Sequence, residues 1–185
     1  MKIYVIRHGQ TDWNVADRTQ GKSDIELNST GIEQAKEAKK IINGYDIDLI
    51  ICSPLKRAMK TAQIVNEDKK CEIIYDKALE ERCYGNLEGK TNNEIVEYLK
   101  NREDFNNYNL NLQRENIEPV RDVCDRVWNL LDKIKEKYSD KKILLVTHGG
   151  TCRAINAYFN GIDPSGDVVS PKLKNCEIRE YEYKN

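Results

Sequence analysis

Both histidines of the chain, His8 and His148, stand just after short apolar runs and just before glycine. A neutral imidazole nitrogen is available near neutral pH as a nucleophile that can form a covalent intermediate. Arg7 precedes His8, and Arg57 follows another apolar run within SPLKR at 53–57. A guanidinium stays charged and presents a planar fork that matches paired phosphate oxygens. If these four side chains meet, they form a cage suited to a tetrahedral dianion such as phosphate, with one histidine as its nucleophile.

The elements that would bring them together are read from the hydrophobic pattern. Strand-like runs occupy 2–6, 47–52, 71–75 and 142–147, and helical patterns separate them. Continuous apolar strands that alternate with amphipathic helices predict a mostly parallel sheet covered on both faces. We therefore expect a three-layer α/β/α fold, with an edge strand from the alternating C-terminal tail at 176–183. Ligands of such sheets bind where the carboxyl ends of the strands gather, so the four side chains should converge there.

The helices that follow these strands are predicted to complete the anion site. Ser53 would be the N-cap and Pro54 the first helical residue, which places Arg57 on the opening turn. Helical side chains lean toward the N-terminus, so Arg57 would reach back over the strand ends. The glycine pair that begins at Gly149 lets the backbone approach a ligand, and a helix starting near Thr151 presents its positive end to an anion.

One segment interrupts the alternating pattern. Residues 76–118 contain two glycines, a short helical candidate at 91–100 and a long polar run that we do not expect to pack a core of its own. We expect a lid or side insertion within one domain that spans residues 1–185.

Composition limits the partners. The 30 basic and 31 acidic residues nearly balance, which gives no electrostatic footprint for nucleic acid or a membrane surface. No run approaches the roughly 20 apolar residues of a membrane span, and the N-terminal run is too short for a signal peptide, so we expect a cytoplasmic protein. The six cysteines form no C-x-x-C pair and are expected as reduced thiols, with neither metal nor cofactor. A monomer and a dimer both remain open.

Four segments resemble the motifs of the histidine phosphatase superfamily, the phosphoglycerate mutase-like family. RHGQTDWN at 7–14 resembles its signature R-H-G-[EQ]-T-x-x-N, and SPLKRA at 53–58 resembles its second motif. LEERCYG at 79–85 resembles the third, and THGG at 147–150 with Arg153 resembles the fourth. The resemblance covers most of residues 3–157 and implies the phosphoglycerate mutase-like fold.

The resemblance also implies a role for each matching residue. His8 would become phosphohistidine, while Arg7, Arg57 and His148 would hold the non-bridging oxygens. Glu81 would protonate the leaving alkoxide and then activate water, because an alkoxide leaves poorly unless it is protonated as the bond breaks. Glu80 and Glu88 are interpreted as solvated or structural. Further pocket positions would be Asn14, Gln20, Gly21, Arg82, Tyr84 and Gly149.

Two positions depart from the family pattern. IEP at 117–119 stands where many of the family's phosphatases carry G-E-S, so we expect a different pocket wall there. Cys83 stands where bulkier aromatic or imidazole side chains are common. Its thiol is interpreted as a packing group, with a place in the pocket lining as the alternative.

Three functions fit these residues. The favoured one is a metal-independent phosphomonoesterase acting on a small phosphorylated metabolite. A cofactor-dependent phosphoglycerate mutase is the first alternative, although mutases of this family look longer, carry an Arg-rich insert and read H-G-N in the fourth motif, whereas this chain shows only isolated Arg102 and Arg114 there. A phospho-ligand binding module without catalysis is the second, and the presence of both a nucleophile and an acid argues against it.

Overall fold

A five-stranded sheet forms the centre of the computed structural model, which describes residues 1–99, 107–109, 116–168 and 172–183. The strands are β1 (Lys2–Arg7), β2 (Leu49–Cys52), β3 (Glu72–Tyr75), β4 (Ile143–Thr147) and β5 (Ile178–Glu182). Their order is β3-β2-β4-β1-β5, with the first four parallel and β5 antiparallel to β1. The predicted mostly parallel sheet with a C-terminal edge strand is confirmed.

Helices cover both faces of this sheet. They are α1 (Asp12–Val15), α2 (Ser29–Ile42), α3 (Lys56–Val65), α4 (Asn92–Leu99), α5 (Val120–Lys137) and α6 (Gly149–Asn160). One core cluster lies between the sheet and α5 with α6, and a second lies between the sheet and α2 with α3. The three-layer α/β/α architecture is therefore confirmed.

Helix α5 shows how the spacing of apolar residues in the sequence places a helix against the sheet. Its buried residues recur every three or four positions, so one apolar stripe faces the sheet and α6. Strand β4 is buried along its whole length, as a central strand covered on both faces must be. Truncating a buried leucine such as Leu131 to alanine in this layer is expected to cost about 2–5 kcal/mol of unfolding free energy.

Two helix starts differ from their predictions. Helix α3 begins at Lys56 with Leu55 at the N-cap, so the prediction of Ser53 as N-cap and Pro54 as first helical residue is wrong. The reason is that the backbone is still extended at Leu55, with φ −75° and ψ 137°, although the Ser53 hydroxyl accepts the Leu55 N–H at 3.3 Å and lies 2.7 Å from His148 Nε2. Arg57 still lies on the opening turn. Helix α6 begins at Gly149, earlier than the predicted start near Thr151.

The interrupting segment is described in part. It contains 3₁₀ turns at Lys77–Leu79 and Gly85–Leu87, then α4, and it packs a small apolar cluster of Leu87, Ile95 and Ile117. Among its described residues, the polar run thus contributes Ile117 to this cluster. Residues 100–106 and 110–115, which include Arg102 and Arg114, lie outside the described residues. A lid function and the single-domain boundaries stay predictions. Within the described ranges, no helix is both long and apolar enough to span a membrane.

Candidate active site

The carboxyl ends of β1, β2 and β4 bring the predicted cage together. His8 follows β1 and His148 follows β4, and the His8 N–H continues the strand pairing by donating to the Thr147 carbonyl at 2.9 Å. The two imidazole rings lie 5.1 Å apart between centroids. Ser53, at the end of β2, contacts the second of them. The residues that the sequence placed at three separate strand ends therefore share one site.

His8 is held in the state that a nucleophile needs. Its Nδ1 lies 2.7 Å from the Gly9 carbonyl, which can only accept, so Nδ1 carries the proton and Nε2 has the free electron pair. No described residue hydrogen-bonds Nε2. Burial, together with the charges of Arg57 and Arg7, lowers the pKa of His8 well below its ordinary value. The imidazole is therefore neutral at physiological pH.

His148 is neutral for the same reasons but has different partners. Arg57 Nε donates to His148 Nδ1 at 3.1 Å, so the ring proton lies on Nε2 and is donated to the Ser53 hydroxyl. Burial and the charge of Arg57 lower the pKa of His148 well below its ordinary value. Both ring nitrogens are engaged by protein groups in this structure, so a contact from His148 to a phosphoryl oxygen stays a prediction.

Arg57 is fully buried and fixed at three points. Besides His148, its guanidinium donates to the Ser23 carbonyl at 2.8 Å and to the Gly21 carbonyl at 2.7 Å. Burial lowers its pKa to about 10, which leaves it charged at neutral pH. Thr61 holds the same turn, because its hydroxyl donates to the Arg57 carbonyl at 2.7 Å and accepts the Gly9 N–H at 3.1 Å.

Arg7 supplies the second fixed charge of the cage. It is 8% exposed, and its Nη1 donates to the Leu173 carbonyl at 2.7 Å. Its Nε is buried without a hydrogen-bond partner among the described residues. An unpaired buried donor costs about 1–3 kcal/mol, and an anion bound beside His8 would offset that cost.

A pocket of about 200 Å³ opens over these groups. Its walls include every predicted position except His148 and Arg82: Arg7, His8, Asn14, Gln20, Gly21, Arg57, Glu81, Tyr84 and Gly149. The buried Gln20 Oε1 has no partner among the described residues. The sequence did not assign pocket positions to Trp13, Ile95 and Arg153, which also line it. Arg153 had a signal as part of the fourth motif, and Trp13 lies at a variable position of the first motif, whereas Ile95 had none.

Glu81 enters the pocket from the loop after Lys77–Leu79 and is held by two backbone donors. Its Oε1 accepts the Arg82 N–H at 2.9 Å, and its Oε2 accepts the Gly150 N–H at 3.0 Å. A Cβ at Gly150 would lie 2.5 Å from Glu81 Oε1, so any other residue there would displace the carboxyl group from its observed position. The second glycine of THGG therefore both places and accommodates the predicted acid.

Arg82 and Cys83 do not line this pocket. Arg82 is 3% exposed, donates from Nε to the Glu118 carbonyl at 2.6 Å and lines a smaller adjoining cavity. Tyr84 lines both spaces, and burial raises the pKa of its phenol to about 12. The Cys83 thiol lines neither and points toward the Asn116 carbonyl. The hydrogen bond to the Glu118 carbonyl holds the Arg82 side chain away from the main pocket.

Two acidic side chains near the pocket have structural partners. Glu88 accepts the N–H groups of Lys22, Ser23 and Tyr84 at 2.9–3.1 Å. It thereby fixes the loop whose carbonyls hold Arg57. Gly21 in this loop has φ +54°, and a Cβ there would collide with Glu88. Glu80 forms an ion pair with Lys22 at 3.1 Å.

The segment IEP at 117–119, which stands where many of the family's phosphatases carry G-E-S, still has the glutamate of that motif as Glu118. Glu118 pairs with Arg126 on α5 and Ile117 joins the small apolar cluster, so this loop supports the Glu81 segment from behind. Thr61 had a signal, since it follows SPLKRA in the resemblance to the second motif, but no motif in the sequence pointed to Arg126 or to the contact of Ser53 with His148. Their partners are distant in sequence and include backbone carbonyls.

Comparisons with known proteins agree with this geometry. The family model of the histidine phosphatase superfamily (branch 1) matches residues 3–185. The chain is 36% identical to a protein of Bacillus subtilis (strain 168) named uncharacterized phosphatase PhoE, over 98% of this chain and 91% of that protein. It is 30% identical to a protein of Escherichia coli O1:K1 / APEC named probable phosphoglycerate mutase GpmB, over 99% of this chain and 85% of the relative.

Solved structures are similar over nearly the whole chain. Bacillus stearothermophilus YhfR superposes with a TM-score of 0.88 at 28% identity, covering 99% of this chain and 91% of its own. A mycobacterial glucosyl-3-phosphoglycerate phosphatase complexed with VO3 superposes with a TM-score of 0.86 at 25% identity, covering 97% of this chain and 91% of its own. With the matching motifs at one site, the chain belongs to branch 1 of the histidine phosphatase superfamily and is an enzyme of the histidine phosphatase type.

Proposed function

We propose that this enzyme is a metal-independent phosphomonoesterase that hydrolyses a small phosphorylated metabolite through a phosphohistidine at His8. The observation that carries the proposal is the neutral His8, with Nδ1 bonded to a carbonyl and Nε2 left free beside two buried guanidiniums. A binding module needs a charged cage but has no use for an imidazole held in this tautomer. The cytoplasmic location stays a prediction.

The first half of the reaction transfers the phosphoryl group to the enzyme. The electron pair of His8 Nε2 forms the N–P bond while the bond from phosphorus to the ester oxygen breaks. Glu81, in its protonated form, gives its proton to the departing oxygen, which leaves as an alcohol. Arg7 and Arg57 stabilise the charge on the non-bridging oxygens, the task that Mg²⁺ performs in other phosphoryl-transfer sites.

The second half returns the enzyme to its starting state. Glu81, now a carboxylate, accepts a proton from water as the water oxygen attacks phosphorus. The N–P bond breaks, inorganic phosphate leaves, and the electron pair returns to His8 Nε2. Gly150 and Arg82 hold the carboxyl group through both halves by backbone N–H groups. One residue can thus act as acid and then as base without moving far.

Trapping the intermediate tests this mechanism. Brief mixing with ³²P-labelled phosphate ester followed by denaturation should give label that is stable in alkali and lost in acid, as phosphoramidates are. His8→Ala should give no label and should not turn over p-nitrophenyl phosphate, while activity in the wild type should survive EDTA. Full turnover in His8→Ala, or a strict requirement for Mg²⁺, would contradict the proposal.

The similarity to a relative named probable phosphoglycerate mutase makes a mutase activity the alternative to test. A mutase passes the phosphoryl group from His8 to a substrate hydroxyl instead of water. Incubation with 3-phosphoglycerate and its bisphosphorylated cofactor separates the two. The proposed phosphatase releases inorganic phosphate and forms no 2-phosphoglycerate, whereas isomer formation faster than phosphate release would establish a mutase.

A further inference from the structure

Side chains hold the loop that carries Glu81, and one arginine of α5 makes three of these contacts. Arg126 Nη1 donates to the Ala78 carbonyl at 2.6 Å and to the Glu80 carbonyl at 3.0 Å, and Nη2 donates to the Glu81 carbonyl at 3.4 Å. This stretch lies outside any strand or α-helix, so regular backbone pairing does not fix it. The hydroxyls of Thr147 and Thr151 donate to the Leu79 and Glu80 carbonyls at 2.7 Å each, and the rigid guanidinium of Arg126 supplies the remaining contacts that take the place of backbone pairing.

The guanidinium is itself held in place by Glu118. Arg126 Nε donates to Glu118 Oε1 at 2.7 Å and Nη2 donates to Oε2 at 3.2 Å, a two-point pairing. Burial would raise the pKa of Glu118, but the hydrogen bond and charge of Arg126 hold it below its ordinary value. Glu118 Oε2 also accepts the Cys83 N–H at 3.0 Å, which ties the far end of the loop.

One peptide group connects this clamp to the catalytic carboxyl. The carbonyl of the peptide between Glu81 and Arg82 is the one that Arg126 Nη2 contacts, and the N–H of the same peptide donates to Glu81 Oε1. A peptide group is planar, so its carbonyl and N–H turn together. Arg126 therefore sets the direction of the N–H that orients the carboxyl group, although it does not line the pocket itself.

We propose that Arg126, clamped by Glu118, is the positioning residue of the general acid Glu81. The inference rests on the proposed function, because it requires Glu81 to protonate the leaving group. The proposal predicts a loss of activity that depends on the leaving group of the ester. Without Arg126 the donor to Glu81 Oε1 is no longer fixed and only the Gly150 N–H still orients the carboxyl group, whereas His8, Arg7 and Arg57 keep their own partners. Esters with poor leaving groups should then suffer far more than esters whose leaving group departs without a proton.

Paired esters measure this selectivity. Glycerol 3-phosphate releases an alkoxide that needs protonation, and p-nitrophenyl phosphate releases a stable phenolate. In Arg126→Gln we expect kcat for glycerol 3-phosphate to fall about tenfold more than kcat for p-nitrophenyl phosphate, which is part of the ~10²–10⁴-fold that general acid catalysis supplies in full. Arg126→Lys, which keeps the charge but loses the fork, should show the same bias to a smaller extent.

A double variant separates positioning from a general effect on the fold. If Arg126 acts through Glu81, then Arg126→Gln added to Glu81→Gln should lower glycerol 3-phosphate turnover by no more than about twofold further, because one function is already lost. Tyr183→Phe is the matched control, since it removes a buried hydrogen bond at 2.7 Å to the Leu131 carbonyl of the same helix. It should lower the Tm and leave the ratio of the two esters at its wild-type value.

The outcomes distinguish a failure of the positioning role of Arg126 from a failure of the acid role of Glu81. Equal losses on both esters in Arg126→Gln and Arg126→Lys, with selective loss in Glu81→Gln, would overturn the positioning role and leave the acid in place. Equal losses in Glu81→Gln itself would overturn the acid role and this inference with it. Should Arg126→Gln not fold, Glu118→Gln, which weakens the clamp without removing the guanidinium, must show the same bias toward loss on glycerol 3-phosphate or the inference fails.

Discussion

The active site is built from two halves that are held in different ways. The strand-end half, comprising His8, Arg57 and His148, is almost fully buried and lies on the edge of a sheet whose two faces are packed. The insertion half comprises Glu81 and Tyr84 on loops and Ile95 on the short helix α4. It packs on a small apolar cluster, which Ile95 forms together with Leu87 and Ile117. Side-chain hydrogen bonds to loop carbonyls, from Arg126 above all, replace strand pairing there.

This difference in how the two halves are held corresponds to a difference in their proposed chemical roles. Every phosphate ester presents the same phosphoryl group, so the groups proposed to bind and attack it can sit on the rigid sheet. Leaving groups differ between esters, and the residues proposed to meet them sit where the backbone is set by a few side-chain contacts. Damage to the strand-end half should lower the turnover of every ester, whereas damage to the insertion half should depend on the leaving group.

The largest effect is expected from Arg57→Lys. A lysine lacks the planar fork that contacts His148, Ser23 and Gly21, so a phosphoryl oxygen loses a fixed donor. We expect kcat/KM to fall about 10²–10³-fold on alkyl and nitrophenyl esters alike. Arg121→Lys, the same change at an exposed arginine of α5, serves as control and should lie within about twofold of wild type. A loss confined to one ester class would contradict the division between the halves.

The next effect is a pH dependence of stability that comes from the strand-end half alone. Folding holds the pKa of both His8 and His148 below the unfolded value, chiefly by burial. Their neutral state therefore favours the folded form at pH values above about 6.5, and this contribution shrinks as pH falls below that value, because unfolded histidines take up protons that the folded ones refuse. The slope is up to about 1.4 kcal/mol per pH unit for each histidine.

Urea unfolding between about pH 7.5 and pH 5.5 measures this slope. Replacing His8 by asparagine should reduce the slope by about half. The depressed carboxyl of Glu118 does not interfere in this window, since its contribution is lost only as pH falls below about 4.5. A flat profile in the wild type would mean that the two imidazoles are not held neutral.

Gly150→Ala tests the insertion half with a smaller change. The added Cβ would lie 2.5 Å from Glu81 Oε1, so the carboxyl group must move. We expect turnover of glycerol 3-phosphate to fall about tenfold and that of p-nitrophenyl phosphate to fall clearly less. Gly149→Ala is the paired variant, because there the nearest atom is 3.7 Å away and ordinary contact results. A larger selective loss at Gly149 than at Gly150 would contradict the assignment of Glu81.

The same two halves differ in what the sequence could reveal. The convergence of His8, Arg57 and His148 was predictable, because apolar periodicity places the strands and parallel strands end at one edge. The N-cap prediction for Ser53 was wrong because the backbone stays extended through Leu55, and the contact of the Ser53 hydroxyl with a ring 95 positions away is one that local capping preferences cannot show. In the insertion half, Arg126 contacts backbone carbonyls that every residue possesses, so neither residue type nor spacing marks its role.

The smallest effect concerns the local stability of the halves. The cluster under the insertion half is small, so α4 should open independently of the main core and its amides should exchange faster than those of α5. Ile95→Val removes one methyl group from that cluster at a cost of about 0.5–1.5 kcal/mol, which should speed exchange in α4 by about two- to tenfold while the slowest amides of α5 stay at their wild-type rates. Ile134→Val removes the same group from the main core and should speed the slowest amides instead. If Ile95→Val speeds amide exchange in α5 as much as in α4, the two halves unfold as one unit. The difference in how the halves are held would then not produce a difference in local stability.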